Sequence, residues 1–111
     1  MADIDYNWIK KEGYDTRLIA NAKDLNCPGN EVQMVRFYKG KYAHYHKVKT
    51  ELFYFTSGKG KVIMDGKEKE LTAGTKLLVA PGVHHEFINE GDEVLESIMF
   101  KTNSKPTDTY S

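Results

Sequence analysis

Apolar and polar residues alternate along most of this chain, and the alternation becomes regular near residue 31. In Glu31 to Tyr38, strand geometry puts Val32, Met34 and Arg36 on one face and Val35 and Phe37 on the other. Gly40 breaks the run. Tyr42 to His46 then places Tyr42, His44 and His46 on a shared face. Glu51 to Thr56 is rich in β-formers, with Phe53 and Phe55 on the side of Glu51. Lys61 to Met64 and Lys67 to Leu71 flank Asp65-Gly66, a strong hairpin signal because a type I′ turn needs positive φ twice. Thr75 to Val79, His85 to Ile88 and Val94 to Phe100 complete the strands. Turns at Ser57-Gly58-Lys59-Gly60, Thr72-Ala73-Gly74, Ala80-Pro81-Gly82 and Asn89-Glu90-Gly91-Asp92 separate them.

Residues 1–30 are the least regular part. Asp15 to Asp24 fits either a short strand or a helical turn, and Asn26-Cys27-Pro28-Gly29-Asn30 reads as a turn. The tail, residues 102–111, is polar, contains Pro106 and is expected to fray. Turn residues roughly every ten positions predict a single all-β sandwich or barrel over residues 31–101.

Composition narrows the function classes. The chain has 111 residues, one domain's worth. Its 16 Lys and Arg balance 16 Asp and Glu, so it lacks the basic excess that grips a phosphate backbone. The lysines at 39, 41, 47 and 49 are interrupted by tyrosines and histidines and read as a solvated face. No apolar run approaches the roughly 18 residues a membrane span needs. The N-terminus lacks a signal-peptide pattern. The single cysteine, Cys27, cannot form an internal disulfide, and no base is placed beside it by sequence. The expectation is a cytoplasmic protein with no nucleic-acid or membrane partner.

The chemistry concentrates in four histidines, His44, His46, His84 and His85. His44 and His46 are two apart, so both imidazoles of a strand reach one point. Glu51 follows at a turn's distance and is expected on the neighbouring antiparallel strand. His84 or His85 arrives from a later strand. Such a mixed nitrogen and oxygen set suits a divalent first-row metal, and its 2-His-1-carboxylate part leaves open positions.

At these residues the sequence resembles the cupin superfamily, which carries two short motifs. The first appears as Gly40, His44, His46, four residues, Glu51, six residues and Gly58. The second appears as Gly74, five residues, Ala80, Pro81, Gly82, two residues, His85, three residues and Asn89. Fifteen residues separate Gly58 from Gly74, close to the short spacer of small microbial cupins. Two departures stand out. Three residues rather than the motif's five lie between Gly40 and His44, and Ala80 stands at the usual proline. The resemblance selects His85 over His84, leaving His84 for the other face of its strand.

The resemblance implies a single-domain cupin of the jelly-roll type, with His44, His46, Glu51 and His85 holding Fe, Mn, Ni, Co, Cu or Zn. It implies a homodimer, with residues 1–30 packing across it. Pocket candidates are Arg36, Tyr42, Phe53, Phe55 and Phe87. Arg36 is either a solvated arginine or the partner of an anionic ligand. Three functions fit: a metal-dependent dioxygenase, isomerase, epimerase, decarboxylase or lyase of a small polar molecule; a non-catalytic small-molecule-binding or sensor module; and a metal-free sugar-processing cupin with histidine as base. The complete ligand set argues against the third.

Overall fold

Burial alternates along the strands at residues 50–57, 76–79 and 95–100. The computed structural model describes residues 5–104. Their order is β1 (Trp8–Lys10), β2 (Tyr14–Ala20), α1 (Ala22–Leu25), β3 (Glu31–Phe37), β4 (Gly40–His44) and β5 (Thr50–Ser57), then β6 (Gly60–Met64), β7 (Lys67–Leu71), β8 (Lys76–Val79), β9 (His85–Asn89) and β10 (Leu95–Thr102). All pairings are antiparallel. They form a six-stranded sheet, β1-β2-β3-β10-β5-β8, and a four-stranded sheet, β4-β9-β6-β7. No ladder joins the two among the described residues, so the architecture is a two-sheet jelly-roll sandwich rather than a closed barrel. The tail expected to fray lies, from residue 105 onward, outside the described residues.

The Asp65-Gly66 hairpin forms as expected, with φ of 49° and 77° at the two central positions. The segment left open at Asp15 to Asp24 holds both a strand and a helical turn. Asn21 follows β2 and caps α1: its side chain accepts from the Asp24 backbone N–H at 2.8 Å, and Asp24 accepts from the Asn21 N–H at 3.1 Å. Asn26, left-handed at φ 53°, stops the helix after one turn.

The core lies between the sheets. Phe55 and Leu95 from the large sheet and Val62 and Leu71 from the small one are fully buried. Phe37 stacks on Phe87 across the gap at 4.7 Å, and Phe53 meets Phe87 edge-on at 5.0 Å. Asn89 pins the turn after β9. Its buried amide donates to the carbonyls of Phe37 and Glu93, and its oxygen accepts from the Gly91 N–H.

These placements predict a graded mutational response. Phe55→Ala removes a fully buried ring and should cost about 3–5 kcal/mol in denaturant unfolding. Gly58 and Gly66 both have positive φ, 86° and 77°. A Cβ at Gly58 would strike the Val94 carbonyl oxygen, whereas one at Gly66 meets nothing within 4 Å. Gly66→Ala should therefore cost only the left-handed backbone penalty, about 1–2 kcal/mol, and Gly58→Ala clearly more. Equal losses would mean that the close approach to Val94 is not what Gly58 provides.

Candidate metal centre

The inner face of the large sheet is graded from apolar to charged. Ladder registers set Val35, Ser97 and Phe55 in one row, Gln33, Met99 and Phe53 in the next, and Glu31, Lys101 and Glu51 in the last. The small sheet mirrors this, with Tyr42 opposite Phe87 and then His44 opposite His85. A cavity of about 650 Å³ opens between the two polar ends.

His46, Glu51 and His85 converge there. Each is buried, and one ligand atom from each lies within 4.8 Å of the others. Glu51 sits at the centre. Its Oε1 is 3.1 Å from His46 Nε2 and 3.8 Å from His85 Nε2, and its Oε2 is 3.9 Å from Lys49 Nζ. His85 Nδ1 donates to the Val83 carbonyl at 3.2 Å, which aims Nε2 at Glu51. The Gly82 N–H donates to the His46 carbonyl at 2.5 Å. That bond ties the turn of the second sequence motif to the first.

The local backbone differs from the expectation in two ways. β4 ends at His44, and His46 lies in the segment 45–49 that crosses between the sheets. Glu51 therefore stands on the opposite sheet from His44, not on the strand beside it. Five residues are enough to span the sandwich, so the carboxylate faces the imidazoles across the gap.

The other predicted residues separate. His44 lines the cavity, half-buried, its ring 6.3 Å from that of His85, outside the tight three-residue group. Phe53 and Phe87 line the cavity wall. Phe55 lies one row deeper, in the core. Tyr42 shares the inward face with His44, but its hydroxyl is taken by the backbone carbonyls of Gly13 at 2.6 Å and Tyr38 at 2.9 Å. Arg36 is on the outer face, because Val35 and Phe37 take the interior. Its guanidinium pairs with Glu96 at 2.9 Å and stacks 3.8 Å over the Trp8 ring. It does not line the cavity. His84 is exposed and stacks on Tyr45 at 4.2 Å, turned away from Glu51 as strand alternation predicts. Lys49, read from the sequence as part of a solvated face, is instead buried on the cavity wall, and reasoning from sequence missed Lys101, Glu31 and Tyr14 there. Strand alternation alone puts Glu31 with Val35, so that one signal was present.

Electrostatics prepare the three-residue group for a cation. Burial holds the His85 and His44 imidazoles below the usual 6.5 and keeps them neutral, as ligands must be. Burial alone would raise the Glu51 carboxyl. The His46 hydrogen bond, with the Lys49 charge nearby, outweighs it and holds Glu51 lower than usual. Burial and the nearby Glu51 charge push the Tyr14 phenol up, so it stays protonated as a donor on the cavity wall.

A two-sheet β-sandwich with a histidine and carboxylate cluster at one end of its core is the class these features define. The family model described as "Cupin domain" matches residues 34–101, and the chain belongs to that family. No curated protein matches it. Among solved structures it is similar to KdgF from Halomonas sp., at 18% identity over 91% of this chain and 89% of that one, with a TM-score of 0.75. It is also similar to a predicted oxalate decarboxylase from Thermotoga maritima, at 18% identity over 90% and 93%, TM-score 0.75. A sugar phosphate isomerase from Silicibacter pomeroyi aligns at 23% identity over 88% and 64%, TM-score 0.71. These likenesses establish the fold.

The directions of these shifts set the acid response of the metal-free protein. Above 6.5 the two histidines are neutral in native and unfolded chains alike. Below it the unfolded chain takes up protons that the native state refuses, so stability falls as pH drops. Glu51, held below its usual 4.5, adds a further loss under that pH. Urea midpoints measured between about pH 7.5 and 4 should fall monotonically. A flat or rising profile would contradict the buried, neutral histidines.

Proposed function

We propose that this protein is a metal-dependent enzyme acting on a small polar molecule. The observation that carries the reading is the convergence of His46, Glu51 and His85 on the wall of a roomy cavity. The donor set fits a divalent first-row ion: two imidazole nitrogens and one ionised carboxylate. In this reading His44, already on the cavity wall, would serve as a fourth ligand. Iron, manganese, nickel, cobalt, copper and zinc all accept such donors. Once bound, the ion supplies Lewis acidity toward a substrate oxygen.

The chain's own residues do the rest. Val83 holds the His85 ring so that Nε2 faces the site. Phe53 and Phe87 form an apolar wall that restricts water. Tyr14 offers a phenolic donor toward the same space. Isomerisation, decarboxylation and lyase chemistry all use these parts, and fold alone does not choose among them. The 3.1 Å contact between His46 and Glu51 supports a second reading, metal-free acid–base catalysis by that pair. Turnover that survives complete metal removal would assign the second reading.

Metal content tests the first reading. After reconstitution with Mn, Fe, Co, Ni, Cu and Zn in turn, elemental analysis of untagged protein should find one ion per chain for at least one metal. His46→Ala should lower occupancy at least about tenfold, and His84→Ala should leave it unchanged. Near-zero content throughout, or equal loss in both variants, would contradict the assignment. Chelation should leave the β-sheet circular dichroism intact, because apolar packing rather than the ion builds the core.

We also propose that the protein is a homodimer, joined through the outer face of the large sheet. Ladder registers place Leu78, Leu52, Phe100 and Val32 in one row of that face and Tyr54, Ile98 and Met34 in the next. Five of these are at least 36% exposed, where an antiparallel sheet with one solvated face would carry polar residues. The flanking charges are mixed, with Arg17, Arg36 and Lys76 against Asp15 and Glu96, and do not repel a second copy of the same face. Light scattering should give twice the 12.7 kDa chain mass. The pair Leu52→Lys and Ile98→Lys should give monomers with unchanged circular dichroism. A monomeric wild type, or a dimer indifferent to both changes, would contradict it.

A further inference from the structure

The three imidazoles at the site are held in different ways. His46 meets Glu51 at 3.1 Å, and His85 donates to the Val83 carbonyl at 3.2 Å. His44 is half-buried, yet its ring makes no hydrogen bond to another of the described residues. Ring packing holds it instead. The Tyr14 centroid lies 6.2 Å away with the planes at 71°, and the His85 centroid lies 6.3 Å away at 54°. An imidazole without a polar anchor keeps rotamer freedom unless a neighbour restricts it, and ordering it on binding lowers affinity. His85 is fixed by Val83, so Tyr14 is the contact on which the setting of His44 turns.

Tyr14 is itself wedged in place. Its ring lies 6.0 Å from Phe37 and meets Tyr42 edge-on at 5.8 Å. The Tyr42 hydroxyl donates to the Gly13 carbonyl at 2.6 Å, on the residue immediately before Tyr14, and lies 2.9 Å from the Tyr38 carbonyl. The Tyr38 N–H donates to the same Gly13 oxygen at 3.2 Å. Gly13 has φ of 85°, and a Cβ there would strike the Tyr42 ring, so the turn before β2 is shaped around that side chain. Tyr42 and His44 sit two apart on β4 and share its inward face. One hydroxyl thus ties the β1–β2 turn to the strand that carries His44, and Tyr14 fills the angle between them.

We propose that Tyr14 positions His44 for the ion, and that the Tyr42 hydroxyl holds Tyr14 for that task. The inference rests on the metal reading above, with His44 as fourth ligand. Both tyrosines are positioning residues: Tyr42 acts through Tyr14, and Tyr14 through His44. The ring of Tyr14 carries the role, because the two side chains meet as rings. Its hydroxyl bonds to none of the described residues and stays available on the cavity wall.

A double-mutant cycle on cobalt(II) affinity tests this, read by chelator competition with no turnover involved. Tyr14→Leu should raise the cobalt Kd roughly three- to tenfold, the range expected when one more side chain must be ordered on binding. In a His44→Ala background the same change should leave the Kd unaltered, because the residue it acts through is gone. Tyr14→Phe keeps the ring and should bind cobalt like the wild type. Tyr42→Phe deletes only a hydroxyl, covers the case of a Tyr14→Leu protein that does not fold, and should show the same His44-dependent loss. Circular dichroism checks the fold of each variant. An unchanged Kd in Tyr14→Leu and Tyr42→Phe would overturn the proposal. So would equal losses with and without His44, the mark of a merely structural role, or a Tyr14→Phe as weak as Tyr14→Leu. An unchanged Tyr42→Phe beside a weakened Tyr14→Leu would overturn the part assigned to the Tyr42 hydroxyl. Wild-type protein that takes up no cobalt would overturn the metal reading itself, and that uptake is measured first.

Discussion

Phe87 holds the two sheets at their working distance. Its ring comes from the small sheet and packs between Phe37 and Phe53 of the large one, at 4.7 and 5.0 Å. Strand geometry repeats every two residues. His85 precedes Phe87 by two positions, and Glu51 precedes Phe53 by two. The packing that closes the core thus also brings the Glu51 carboxylate to 3.8 Å from the His85 imidazole, one row further out. Core and site are successive layers of the same interface, and the aromatic floor doubles as the wall that limits water around Glu51.

Above that floor the electrostatics reverse the usual preference of a protein interior. Glu51 is buried and ionised, shared among His46, His85 and Lys49. A buried cluster of this kind is a weak source of stability, because desolvation opposes the attraction of its members. Its geometry is better matched to capturing a cation. Two imidazoles and a carboxylate already face one point, where His46, Glu51 and His85 could hold an ion in place of the His46 to Glu51 hydrogen bond. The hydrogen bond from Gly82 to the His46 carbonyl matters for the same reason. It couples the crossing segment to the turn before β9, so the elements carrying His46 and His85 hold each other in place.

Much of this was legible in the sequence, for reasons that differ by element. β5, with Glu51, Phe53 and Phe55 alternating against exposed Leu52 and Tyr54, declares its inward face. The β6–β7 hairpin is written in Asp65-Gly66. The strands before residue 21 were not legible. Tyr14 and Thr16 of β2 face the cavity rather than an apolar core, and a register irregularity between Leu18 and Ala20 breaks the period. β3 was ambiguous because both its faces are apolar, so Arg36 was not assignable to the outer side until the second sheet was in place. The Tyr42 hydroxyl and Gly13 carbonyl are 29 residues apart, a contact that periodicity does not encode. The placement of Glu51 across the sandwich from His44 depends on where residues 45–49 cross, and local pattern carries no signal for that.

The proposed cation would be held between the sheets at His46, Glu51 and His85. Anomalous diffraction from crystals loaded with zinc or cobalt addresses it directly. One peak per chain is expected, roughly 2.0–2.2 Å from Nε2 of His46, Nε2 of His85 and a Glu51 oxygen. A peak only at His84 or elsewhere on the surface, with His46 still hydrogen-bonded to Glu51, would contradict it.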